Sequence, residues 1–163
     1  MKSHHNSTEP LDPDDYALPR QAHFPGMTPG PEHQLLAPIV AQADHVTTSA
    51  TAHSNVAWRY GLRLYNGGFY WEAHEVLEQV WMNAQQNSRE QQLVQGVIHL
   101  ANAGLKQALG RDRAVQRLLR LAGSCFDRAF QSMDEPLMGL TATALPSDQR
   151  RPCLLPESLR PDY

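Results

Sequence analysis

The sequence has no apolar run long enough to cross a bilayer. Its longest, residues 35–41, is interrupted by Pro38 and falls far short of the roughly 20 residues a spanning helix needs. No membrane insertion is therefore expected. The start, MKSHHNSTEPLDPDD, has no apolar segment after its single lysine, so no secretory signal is expected either. Cysteine is scarce: Cys125 and Cys153 lack metal-type spacing and read as two free thiols in a reducing compartment. A soluble, cytoplasmic protein is the expectation. Positive charge is also not in excess: the formal net charge is -3, which gives no general pull toward nucleic acid or an anionic membrane surface. No stretch carries a convincing strand period, and there is no internal repeat or low-complexity tract.

What is present suits one domain. A length of 163 residues allows a real core, and a hydrophobic fraction of 41% with 19% charged residues is near globular values. The twelve prolines gather toward the ends. In residues 1–53, seven positions from Pro10 to Pro38 forbid a long helix and favour extended or turn geometry, which makes this segment an arm. Within it FPGMTPGPEH, residues 24–33, is either a solvated linker or an ordered strap, and composition alone favours the linker. After Met133, prolines at 136, 146, 152, 156 and 161 make residues 133–163 a tail, with LMGL as the segment suited to pack on the domain.

Residues 54–132 read as helices. Ser54 or Asn55 can cap a first one, with Trp58, Leu62 and Tyr65 on one face, and Gly67 or Gly68 can end it in a left-handed conformation. A second helix over 69–83 follows so closely that the two form an antiparallel hairpin. Ser88 and Gln91 form a capping box for a third, over 88–110, in which Gln91 reaches back to the Ser88 amide. The fourth, over 112–132, has Val115, Leu118, Ala122, Cys125, Phe126 and Ala129 at core spacing. The fold class is all-α: a compact bundle of about four helices with extended proline-rich arms.

The chemistry concentrates in WEAHEVLEQVW, residues 71–81. At about 100° per residue, His74 and Glu78 fall in the arc of Trp71, Tyr70, Leu77 and Trp81, whereas Glu72, Glu75 and Gln79 fall on the polar side. His74 and Glu78 are therefore expected to enter the interior and find partners there. On the next helix Gln92, Gln95, His99, Asn102 and Lys106 make a narrow polar seam on an otherwise apolar surface, and Gly96 and Gly104 permit close approach by neighbours. The seam faces either water or His74 and Glu78. Polar stripes are usually solvated, which favours water.

In the second case His74 and Glu78, at i, i+4, could share a divalent metal with His99 as third ligand, or act without one as a proton-transfer pair with Glu75 beside them. Asn66, Gln95 and Lys106 would support this polar site. HEVLE is not the zincin motif, and the chain has no Glu-x-x-His pair of the di-iron type. Arg113, Arg117 and Arg120 form a basic stripe that reads as a solvated helix face.

YNGGFYWEAHEVLEQVW followed by QGVIHLANAGLK resembles the domain-of-unknown-function family 309, over about residues 58–122. Asn66, Gly68, Tyr70, Ala73, His74, Glu75, Glu78, Trp81, Gln95, Gly96 and Ile98 fit the pattern, and Tyr65 and Val97 are conservative replacements. LPRQAHFPGMTPGPEH, residues 18–33, looks like an arm of one branch of that family, which implies an ordered strap. Many relatives have histidine at the position of Lys106 and glutamine at that of His99, which weakens a three-ligand metal site. The resemblance implies a helical bundle, sometimes labelled a predicted metal-dependent hydrolase. Two functions follow as expectations. One is a structural or binding module for an unidentified small molecule or protein, in which a homodimer is compatible with the size of the domain. The alternative is a metal-dependent or acid/base enzyme using His74 and Glu78.

Overall fold

The computed structural model describes residues 12–42, 46–149, 155–156 and 158–163; Cys153, expected as a free thiol, lies outside them. Five α-helices form among these residues: α1 (His33–Ala41), α2 (Val56–Asn66), α3 (Tyr70–Met82), α4 (Arg89–Ala108) and α5 (Asp112–Phe130). Their only β pairing is two isolated bridges, Thr47 with Ala84 and Leu137 with Leu140. No described helix is long and apolar enough to cross a membrane.

Local chemistry sets the ends. The Asn55 side chain accepts from the Trp58 amide at 3.0 Å and starts α2, and Gly68, at φ +81°, makes the left-handed turn after it. Ser88 caps α4 by accepting from the Gln91 amide. The return half of the box lands one residue earlier than expected: Gln91 Oε1 accepts from the Asn87 amide at 2.8 Å, because the Ser88 amide already donates to the Gln85 carbonyl.

Helices adjacent in sequence are adjacent in space, α2 on α3, α3 on α4 and α4 on α5. The α4–α5 pair is antiparallel, with Arg89 bonded to the Ala129 carbonyl, Gln92 to Arg128 and the Gly96 backbone against the Phe126 ring. A methyl group at Gly96 would overlap that ring, and one at Gly104 would overlap Tyr70 of α3. These two glycines thus let α4 sit centrally. Its Leu93, Val94, Val97, Leu100, Ala101 and Ala103 are all fully buried.

The terminal segments also reach the core. Where the prolines suggested extended chain, α1 forms with Pro38 inside it, and Leu36 and Ile39 bury themselves. An interior proline removes a backbone bond and costs about 3 kcal/mol, so burial of these side chains must offset it. Thr47 caps the other end of α3, its Oγ1 donating to the Val80 carbonyl and its amide to that of Asn83. In the tail, Leu137, Met138 and Leu140 of LMGL pack inside, and Trp58 Nε1 donates to the Met138 carbonyl at 3.1 Å. Asn66 holds Leu159 by both backbone groups, accepting from its amide at 2.7 Å and donating to its carbonyl at 2.9 Å.

Candidate functional site

The polar seam of α4 opens partly into a groove. Gln92, Gln95 and His99 are half-buried along its floor; Leu121, Cys125 and Arg128 of α5 form one wall, and Trp81 and Met82 at the end of α3 the other. The groove encloses about 530 Å³, within the usual range for small-molecule sites of roughly 300–1,000 Å³.

The Gln95 amide nitrogen lies 3.4 Å from His99 Nε2. If that amide donates, Nε2 accepts and the ring proton sits on Nδ1, which is buried without a partner among the described residues. Burial pushes the His99 pKa down, and the charges of Arg117, Arg128 and His74 push it the same way. Its imidazole is therefore held neutral. Arg128 is fixed by two bonds, Nε donating to Gln92 Oε1 at 2.9 Å and Nη2 to Cys125 Sγ at 3.5 Å. Burial raises the Cys125 pKa against the opposing pull of Arg128, so the thiol keeps its proton and is a poor nucleophile. Among the described residues no aspartate or glutamate lines the groove. A neutral imidazole with no carboxylate to orient it, side-chain amides and one guanidinium are suited to recognition more than to proton transfer.

On α3 the structure reverses the expected roles of two glutamates. Glu78 is exposed, whereas Glu72 is only 1% exposed. The large aromatics of α3 do not mark its buried face, which is aliphatic and formed by Ala73, Val76, Leu77 and Val80. That face is turned by more than about 90° from His74, so Glu78 points outward and Glu72 falls beside Val76. Trp71 and Trp81 lie at its margins, half-buried. His74 and Glu75 are also half-buried, and His74 is near enough to His99 to act on it through charge.

Glu72 defines a second, closed polar site. Its Oε1 accepts from the His23 amide at 2.8 Å, and its Oε2 has no partner among the described residues. Burial raises its pKa; hydrogen bonding and the charge of His23 oppose this, and Glu32 adds to it. The cover is a strap ordered by its own bonds: Thr28 Oγ1 accepts from the Phe24 amide at 2.8 Å, and His23 Nδ1 lies 3.0 Å from the Pro29 carbonyl. The rings of His23 and His33 meet Trp71 edge-on. The prolines that favoured a linker instead shape a compact turn.

The remaining expectations separate. Asn66 is spent on the tail and supports no His74 site. Gln95 and His99 do meet, and Lys106 is half-buried farther along α4. Among the described residues no three His, Cys, Asp or Glu side chains form a set able to hold a metal, so His74, Glu78 and His99 do not assemble as ligands. Arg128, Cys125 and Glu72 were missed by sequence reasoning. The first two had a signal, since Arg117, Leu121, Cys125 and Arg128 recur at i, i+4, i+8, i+11 on the α5 face opposite the α4 seam.

Comparison with curated proteins and with solved structures gave no match. Residues 58–118, running from α2 into α5, match the model of the family described as domain of unknown function (DUF309).

Proposed function

We propose that the chain is a noncatalytic binding module whose ligand site is the groove between α3, α4 and α5. The observation that carries this reading is the set of half-buried polar side chains Gln92, Gln95 and His99 on the floor of one open groove, with the exposed Arg128 on its wall. A seam serving only solubility would lie in open solvent. In this reading residues 54–132 form the working domain, and the arm and tail cover its other faces.

The test is a small-molecule screen by heteronuclear NMR on the full chain. Ligands should shift the side-chain signals of Gln95 and His99, and His99→Ala should abolish those shifts while the variant stays folded. Ligands that bind without perturbing the groove, or whose binding survives His99→Ala unchanged, would overturn the assignment.

A further inference from the structure

The groove has a charge pattern that selects among ligands. Arg128 is exposed at its mouth, and among the described residues no carboxylate pairs with it. Two of its nitrogens are committed to Gln92 and Cys125, which orients the fork and leaves Nη1 without a partner among the described residues. Because Gln92 accepts from Arg128 through Oε1, its own amide nitrogen remains a donor. The wall therefore offers donors and one formal positive charge, with His99 neutral beside them. Opposite in character, Met82 is 52% exposed and Leu121 39% exposed, and with Trp81 they give the groove an apolar margin.

Resting on the assignment of the groove as a binding site, we propose that its ligand class is a small amphipathic monocarboxylate, with the carboxylate on Arg128 and Gln92 and the hydrocarbon or aromatic part on Trp81, Met82 and Leu121. One guanidinium matches one negative charge and offers a flat donor edge to two carboxylate oxygens. A phosphate dianion would leave charge uncompensated, and a neutral amphiphile would leave the guanidinium unused. An apolar margin would be pointless for a small inorganic anion.

The test uses octanoate, octanamide and inorganic phosphate as probes, titrated into the full chain and followed by NMR at Gln92, Gln95 and the Trp81 indole. Octanoate is expected to bind there, with octanamide and phosphate weaker by about tenfold or more, the loss expected for one charged hydrogen bond. Arg128→Gln should weaken octanoate by a similar factor, and Arg113→Gln, on the exposed stripe, should not. If Arg128→Gln fails to fold, Gln92→Leu replaces it, with the same loss expected. Octanamide binding as tightly as octanoate, or octanoate insensitive to both variants, overturns the carboxylate assignment while leaving the groove a binding site. Perturbations by all probes elsewhere and none in the groove overturn both.

Discussion

Glu72 and His99 are both polar groups withdrawn from water with one atom left unpaired, yet they are covered in different ways. The cover over Glu72 is a strap whose His23 amide comes from 49 residues away in sequence. His99 is flanked by Gln95 on its own helix and by α5, and it lines an open groove. The first arrangement closes a site and the second leaves one accessible. Burial of a polar residue by itself thus says little about function; what covers it, and whether anything can enter, decides more.

The largest expected effect tests the closed site. Glu72→Ala removes the acceptor of the His23 amide and leaves a gap, and should destabilise the chain by about 2–3 kcal/mol in urea denaturation. Protease cleavage within residues 18–33 should accelerate with it. If His99→Ala costs more than Glu72→Ala, the contrast between a closed structural site and an open one fails.

Next, Asn66→Ala removes both bonds to Leu159 and should cost about 1–2 kcal/mol. Hydrogen exchange should rise at Leu159 and at Asp162, whose amide donates to the Gly139 carbonyl, and stay unchanged in the strap. Equal loosening of strap and tail would show that both act as one cover.

A smaller effect separates the two sites by pH. The folded-state pKa of Glu72 is raised above 4.5, so its contribution is complete below that pH and is lost as pH rises through the folded value. That of His99 is lowered below 6.5, so its contribution is complete above that pH and is lost as pH falls through the folded value. Relative to wild type, Glu72→Gln should therefore gain stability between pH 5 and 7, and His99→Gln should gain between pH 7 and 5. Denaturation midpoints at the two pH values check this, and slopes of the same sign would refute it. Smallest of all, Arg113→Gln on the exposed stripe should change stability by less than about 0.5 kcal/mol.

Much of the bundle was legible because its signals are local. Asn55, Gly68 and Ser88 mark helix ends through bonds to near neighbours, and Val115 to Ala129 repeat at helical spacing. The site was harder. Trp71 and Trp81 pulled the reading of α3 toward His74 and Glu78, because size was taken for depth, while Val76 and Val80 marked the true face. Glu72 could not be recognised, since its burial depends on the strap and no periodicity in α3 encodes a segment arriving from His23. The seam of α4 was visible, but its partner wall required the register that Gly96 and Phe126 set between α4 and α5.

The three tryptophans happen to divide the molecule among themselves. Trp58 is enclosed and donates to the Met138 carbonyl of the tail, Trp71 lies against the strap histidines, and Trp81 lines the groove. Their emission is consequently three optical reporters in one chain. In variants keeping a single indole and phenylalanine at the other two positions, a red shift from Trp58 would record undocking of the tail, loss of histidine quenching at Trp71 would record lifting of the strap, and a blue shift at Trp81 would record an occupied groove.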